Sequence, residues 1–304
     1  IRNSLMLFMN LYTHAESNTR KTWFYLTGFF VFVIGVGWLA SYLMETPMIL
    51  WIAVVLSIVM SVSSYWYSDR MVIALTRAKP APKEQYLELH RIVENLAITA
   101  GLPTPRIFVI PEAQPNAFAT GRNAKHAVVA VTTGLLERLD RTELEGVLSH
   151  ELSHIGNKDM LISTIVVVLV GFVTILVDFF LRMTFFSGRD RRGHSNAIFL
   201  IIGLVLLILA PILARLIQLA ISRKREFLAD ASGALLTRYP EGLARALEKI
   251  ASYPSQMRSA SDATAHLFIA SPFRGGEAAS WLHKLFMTHP PMQERVRALR
   301  GMRV

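Results

Sequence analysis

The residues with the clearest chemical potential in this 304-residue chain are His150-Glu151-Leu152-Ser153-His154. Two histidines four residues apart lie on one face of a helix, so both imidazoles can reach the same metal ion. We expect one zinc ion per chain, because zinc accepts nitrogen and oxygen ligands and lowers the pKa of a coordinated water to about 7. Glu151 is then placed to accept a proton from that water. The alternative for so short a motif is a surface helix with two unrelated histidines.

Two histidines leave a catalytic zinc ion short of a protein ligand, so the motif predicts a third histidine or a carboxylate elsewhere. Glu226 and Asp230 are also four residues apart and would share one face of a helix. One of them could ligate the metal while the other orients a ligating imidazole. By itself this pair is a weak signal, because solvated helix faces often carry such a pair.

Long apolar segments surround these residues, and as helices they are long enough to cross a bilayer. The four runs are 23–43, 47–65, 161–181 and 197–221. The first two predict a transmembrane hairpin. The last two predict a second hydrophobic hairpin that is either transmembrane or re-entrant.

The placement of the runs brings the candidate ligands to a common depth. His154 lies seven residues before the third run, and Glu226 lies five residues after the fourth. If these two runs together cross the bilayer twice or not at all, both ligands lie on the same side of it, on the order of 10 Å from its surface.

Composition and charge support the membrane interpretation. The chain is 52% hydrophobic and 18% charged, with a net charge of +10 and no cysteine. The basic residues cluster at the ends of the apolar runs, which favours membrane flanks over nucleic-acid binding. The absence of cysteine excludes disulfides and thiolate ligands.

The distribution of lysine and arginine predicts the orientation of the chain. Ten of them lie in the flanks 1–22, 66–83 and 223–225, which places these flanks in the cytoplasm. Four arginines between the third and fourth runs, within 182–196, conflict with this rule.

The polar part of the chain shows both helical and strand patterns. Apolar residues recur at helical spacing over 83–100, whereas 106–110 and 126–131 are short and β-branched. Asp140 is a candidate N-cap for the helix that carries the histidines.

These patterns predict an α+β fold, namely a mainly helical multi-pass membrane protein whose zinc-binding domain carries a small β-sheet. A cytoplasmic segment at 1–22 precedes the hairpin at 23–65. The segments 66–160 and 222–304 form the zinc-binding domain, and the second hairpin at 161–221 interrupts it.

Four motifs occur in order among the four apolar runs: Asn116-Ala117-Phe118-Ala119-Thr120-Gly121, His150-Glu151-x-x-His154, Arg225-Glu226-Phe227-x-Ala229-Asp230 and Thr288-His289-Pro290-Pro291. Together they resemble the HtpX family of bacterial membrane zinc metalloproteases, which is related to the CAAX prenyl proteases and the Oma1-type proteases.

The resemblance implies a zinc site of the gluzincin type. His150, His154 and Glu226 would be the zinc ligands, and Glu151 would be the general base and acid. Asp230 would be the hydrogen-bond partner of a zinc-binding histidine.

The resemblance also implies residues that contact the substrate. Asn116, Ala117, Phe118 and Ala119 would form an edge strand to which an extended peptide pairs through its backbone; an ordinary core strand is the alternative. His289 and Arg295 would approach the active site, where either could donate to the developing oxyanion. The alternative for Arg295 is a charge on a helix surface.

The function implied is an endopeptidase of the bacterial cytoplasmic membrane, with its site facing the cytoplasm. Its substrates would be misfolded or damaged membrane proteins, and its partners the lipid bilayer and peptides rather than nucleic acid. A CAAX-type prenyl-protein endopeptidase and a catalytically silent zinc-binding membrane adaptor or transporter are the alternatives.

Overall fold

The computed structural model describes residues 20, 23–24, 26–39, 41–42, 45–165, 223–253, 257, 264, 267–270 and 290–302. The third apolar run beyond residue 165, the whole fourth run and His289 therefore lie outside the described residues.

The first two apolar runs form an antiparallel helical pair. The helices are α1 (Leu26–Leu39) and α2 (Met48–Leu75). They approach so closely that a Cβ added at Gly37 would lie 2.1 Å from the Cβ of Ala53. At the other end of the pair the rings of Trp23 and Tyr65 stack, with centroids 6.4 Å apart. Among the described residues α2 is the one helix long and apolar enough to cross a membrane.

Helix α2 is longer than the sequence indicates. Its apolar pattern ends at Tyr65, but the helix continues to Leu75. Asp69 and Arg70 follow the apolar run without ending the helix, because Asp69 pairs with Arg106 and Arg70 faces solvent. Hydrophobicity therefore located the run but not the end of the helix.

Four strands form one small mixed sheet. They are β1 (Lys79–Pro80), β2 (Arg106–Ile110), β3 (Ala117–Thr120) and β4 (Val128–Thr132), and their order is β1-β2-β4-β3. Strands β2 and β4 are parallel, whereas β1 and β3 pair antiparallel with their neighbours.

One predicted strand has its expected bounds and the other begins two residues late. Strand β2 spans the residues predicted, whereas β4 begins at Val128 rather than His126. A 3₁₀ turn over Ala124–His126 delays it, because the side chain of Asn123 accepts a hydrogen bond from the backbone N–H of His126.

Both faces of the sheet are covered, since the alternating side chains of β2 enter two different apolar clusters. Ile107 and Val109 pack on the side of α3 (Leu87–Thr99). Phe108 and Ile110 pack on the opposite side, where Val72 of α2 is fully buried. The end of α2 is thus part of the core beneath the sheet.

The helix that carries the two histidines is α5 (Arg141–Gly156), which follows the short α4 (Thr133–Arg138). A capping box starts α5: the side chain of Asp140 accepts from the N–H of Glu143, and the carboxylate of Glu143 accepts from the N–H of Asp140. Asp140 is therefore the N-cap, as predicted.

Two further helices pack directly on α5, and a third packs on those two. They are α6 (Arg223–Thr237), α7 (Pro240–Ala251) and α8 (Met292–Arg300). Glycines allow the backbones to touch: a Cβ on Gly146 would lie 2.6 Å from the nitrogen of Leu243, and one on Gly233 would lie 2.9 Å from the nitrogen of His150. The predicted helical character with a small sheet is confirmed, while one candidate membrane span is seen in the described part.

Candidate active site

The crossing of α5 and α6 brings three potential metal ligands together. The Nε2 atoms of His150 and His154 are 3.2 Å apart. The carboxylate of Glu226 lies 3.9 Å from His150 Nε2 and 3.6 Å from His154 Nε2. One ligand atom from each residue lies within 4.8 Å of the others, so the three can hold one metal ion.

Each histidine has a carboxylate behind it. His150 Nδ1 lies 2.9 Å from Asp230 Oδ1, and His154 Nδ1 lies 3.0 Å from Asp159 Oδ2. A proton on Nδ1 donates to the carboxylate and leaves the lone pair on Nε2, which is the arrangement that metal-binding histidines need. Two neutral imidazoles and one carboxylate fit the preferences of zinc.

The charges around His154 favour a cation. Burial disfavours the protonated imidazole, but the hydrogen bond to Asp159 and the charge of Glu226 outweigh this and raise the pKa of His154 to about 9. The same negative field that favours a proton here also favours a divalent metal ion.

Glu151 lines the cleft beside these three ligands and is only 2% exposed. Burial raises the pKa of its carboxyl above the usual value, while His150 and His154 oppose the rise. A raised pKa suits a carboxylate that must accept a proton and release it again near neutral pH.

Arg295 of α8 lies behind the histidines rather than on the surface. Its side chain is fully buried, so the alternative of a surface helix charge is wrong. Its Nε and Nη2 donate to the two oxygens of Asp230 at 2.8 and 2.7 Å, and its Nη1 donates to the carbonyl of Ile269 at 3.0 Å. The guanidinium thereby fixes the carboxylate that faces His150.

A cleft opens beside the three ligands. Of the four residues predicted to bind substrate, Ala119 lines it. Its wall is completed by Asp159, Met160, Ser163, Leu267 and Ile269. Strand β3 stands at the edge of the described sheet, as predicted.

The other three residues predicted to bind substrate have internal contacts. Asn116 holds the segment 267–270 through both ends of its amide, donating to the carbonyl of Ala270 at 3.0 Å and accepting from its N–H at 3.3 Å. The carbonyl of Ala117 accepts from the N–H of Ile269. Phe118 is fully buried and packs edge-to-face on Phe268.

Within the described part of the chain, backbone alternation makes Ala119 the open position on this edge. The carbonyl of Asn116 bonds to Thr132 in β4, whereas the carbonyl of Ala117 points away from β4 toward Ile269. Since hydrogen-bonding direction alternates along an antiparallel strand, the N–H and C=O of Ala119 also point away from β4.

Asp159, Gly233 and the Ile269 carbonyl were not predicted from the sequence. Asp159 follows His154 by five residues, a spacing that does not place two residues on one helical face. The only signal in the sequence was the presence of a carboxylate just beyond the motif. Gly233 lies one helical turn beyond Asp230, and that spacing was a signal for close packing. Nothing in the sequence marked Ile269.

The chain resembles the crystal structure of Ste24p from S. mikatae with a TM-score of 0.49 and 19% identity, covering 96% of this chain and 67% of that one.

Sequence relatives are much closer. The protease HtpX homologue of Thermoanaerobacter pseudethanolicus is 44% identical over 96% of this chain and 98% of its own length. The homologue of Syntrophobacter fumaroxidans is 49% identical over 83% of this chain and 89% of its own. That of Pyrococcus furiosus is 47% identical over 91% of this chain and 92% of its own.

The model of peptidase family M48 matches residues 83–303, which contain every candidate site residue. The resemblance read from four short motifs is thereby confirmed over nearly the whole chain. The chain belongs to peptidase family M48 and, within that family, to the HtpX proteases.

Proposed function

We propose that this protease is a zinc-dependent endopeptidase anchored in the bacterial cytoplasmic membrane, with its active site facing the cytoplasm. The observation that carries the proposal is the convergence of His150, His154 and Glu226 beside the buried Glu151. A carboxylate of raised pKa at this point supports catalysis over a silent zinc-binding adaptor.

The packing supports the proposed domain organisation. Helices α6 and α7 pack on α5, and α8 packs on α6 and α7, so we assign 66–160 and 222–304 to one protease domain. The segment 1–22 is assigned to the cytoplasm and 23–65 to a membrane hairpin. The segment 161–221 is assigned to a second hydrophobic hairpin.

A zinc ion held by His150, His154 and Glu226 would supply the Lewis acidity that activates water and polarises the scissile carbonyl. Glu151 accepts a proton from the attacking water at its carboxylate and then delivers that proton to the leaving amine. Its burial keeps the carboxylate poorly solvated, which makes both transfers favourable near neutral pH.

Ala119 orients the peptide in this proposal. The substrate lies as an extra strand on β3, with its backbone paired to the N–H and C=O of Ala119. Recognition through the backbone depends little on substrate sequence, which suits a protease of misfolded or damaged membrane proteins.

The developing oxyanion requires a donor besides the metal. The resemblance offers His289 and Arg295 for this role. The contacts of Arg295 with Asp230 and Ile269 favour a positioning role for it, and His289 is the proposed donor.

The decisive experiment compares the purified full-length protein with its Glu151→Gln variant. We expect cleavage of casein and of an unfolded membrane protein to fall roughly 10²- to 10⁴-fold, since the amide cannot accept the proton. Zinc content should stay at one ion per chain, because Glu151 is not proposed as a ligand.

The matched control is a His150→Ala, His154→Ala double variant, for which elemental analysis should show zinc lost together with activity. Chelation of the wild-type protein should stop cleavage, and added zinc should restore it. Activity of Glu151→Gln equal to that of the wild type would refute the mechanism.

A further inference from the structure

The turn after α5 places Asp159 against the second histidine of the motif. Lys158 has a left-handed backbone with φ of 56°, a conformation that costs a non-glycine residue about 1 kcal/mol or more. This turn brings the N–H of Asp159 to the carbonyl of His154 at 3.1 Å. The carbonyl of Asp159 then accepts from the N–H of Ser163, so Asp159 also begins the helical segment 160–165.

The contact between the two side chains is specific and protected. Asp159 Oδ2 lies 3.0 Å from His154 Nδ1, and Asp159 is only 4% exposed. It makes for His154 the contact that Asp230 makes for His150. A carboxylate on Nδ1 fixes both the tautomer and the ring orientation of a metal-binding histidine.

The carboxylates of Asp230 and Asp159 differ in the counter-charges and hydrogen bonds that they receive. Asp230 is held by both sides of the Arg295 guanidinium. Within the described part of the chain Asp159 has no lysine or arginine in ion-pair range, and its Oδ1 has no hydrogen-bond partner. A buried carboxylate with so little other compensation depends on the imidazole that it faces and on any cation bound beyond it.

We propose that Asp159 is a positioning residue of the metal site, which holds His154 Nε2 toward the other ligands and ties this ligand to the first turn of the third apolar run. The inference rests on the proposed zinc site and adds a residue to it. In this proposal, the orientation of the His154 ring depends on the position of the first residues of the helical segment 160–165.

Zinc affinity of the purified full-length protein tests the proposal, measured by competition with a chromogenic chelator. In Asp159→Ala we expect zinc affinity to fall about 10- to 100-fold, the usual cost of removing such a partner. Asp159→Asn should lose less, because its amide oxygen can still accept from Nδ1. Proteolysis by Asp159→Ala at limiting zinc should fall, and it should recover when zinc is raised.

The matched control is Asp140→Asn, the same exchange of carboxylate for amide at the other end of α5. Asparagine is an equally good N-cap, so the zinc affinity of this control should equal that of the wild type. Zinc affinity of Asp159→Ala within about twofold of the wild type, or a loss of activity that excess zinc does not restore, would overturn the inference. Failure of the wild-type protein itself to bind zinc would instead refute the proposed function.

Discussion

At the scale of single residues, the site is an arrangement of buried charges that satisfy one another. Asp230 shows this most clearly. Burial raises the pKa of its carboxyl, but the adjacent Arg295 outweighs burial and lowers the pKa to about 2. Asp230 therefore stays ionised behind His150, and its contribution to stability persists above its ordinary pKa of 3.8 and is lost only as pH falls toward about 2.

Replacing Arg295 with glutamine should reverse this balance. Asp230 would keep its burial without its counter-charge, so we expect the free energy of unfolding to fall by about 3–5 kcal/mol near neutral pH. The pKa of Asp230 would rise above its ordinary value, and a protonated carboxyl needs no counter-charge. The deficit in melting temperature should therefore narrow as pH is lowered from about 7 to about 4.

Arg300→Gln is the control for that measurement, because Arg300 lies on the same helix and pairs with Glu241 and Glu248 at the surface. Its deficit should be small at every pH, since exposed ion pairs contribute little. A deficit in Arg295→Gln that grows toward acid would contradict the assignment of Asp230 as the ionised partner.

At the scale of elements, the packing of α6 on α5 determines where the third ligand lies. Glu226, Asp230 and Gly233 occupy one face of α6, and that face lies on the backbone of α5 at Ser149 and His150. Glycine at the crossing lets the backbones of α5 and α6 touch, so the carboxylates of α6 can reach the imidazoles of α5.

Gly233→Ala should therefore disturb the metal site without touching a ligand. The added Cβ would lie 2.9 Å from the nitrogen of His150 and 3.0 Å from Ser149 Oγ, so the helices must separate. We expect a loss of about 1–3 kcal/mol in the free energy of unfolding, together with weaker zinc binding in a chelator competition.

Gly156→Ala is the matched control, because the Cβ there would meet only Leu102 Cδ1 at 4.0 Å. Alanine favours helix over glycine, so this variant should be unchanged or slightly more stable. Equal zinc affinities in the two variants would mean that the closeness of the crossing is unimportant.

The elements also show what the sequence could predict. Strand β2 and the capped start of α5 follow from local signals, namely a β-branched run and an Asp-x-x-Glu capping pattern. The position of Asp159 beside His154 could not be predicted in this way. It depends on a left-handed turn at Lys158, which no propensity favours and which surrounding packing must stabilise.

Helical spacing predicted part of the ligand set. His150 and His154 are four residues apart on one helix, and Glu226 and Asp230 are four residues apart on another, so each pair shares a face. The spacing left open which carboxylate is the ligand, and Glu226 was assigned through the family resemblance. Ile269 and Ala117 meet only through tertiary structure, so no spacing in the sequence marks their contact.

At the scale of the whole molecule, α2 joins the apolar hairpin to the catalytic domain without a break. Trp66 lies under the guanidinium of Arg122 at 4.3 Å, and Val72 is buried below the sheet. Because α2 belongs to both parts, the orientation of the apolar hairpin determines that of the catalytic domain.

The proposed orientation can be measured because the chain has no native cysteine. Glu45, in the exposed connection between α1 and α2, and Glu137, on the surface of α4, suit single substitutions to cysteine. A membrane-impermeant thiol reagent added to intact cells should label Glu45→Cys and leave Glu137→Cys unlabelled. In inverted vesicles the pattern should reverse, and labelling of Glu137→Cys from outside would refute the cytoplasmic placement.

The unbroken course of α2 has a consequence for the distance between the sheet and the bilayer. In the proposed orientation Trp66 would lie near the lipid headgroups, and Val72, which is buried beneath the sheet, lies about 9 Å farther along the helix. A continuous helix would therefore hold the sheet at a fixed distance from the membrane surface, whichever substrate is bound.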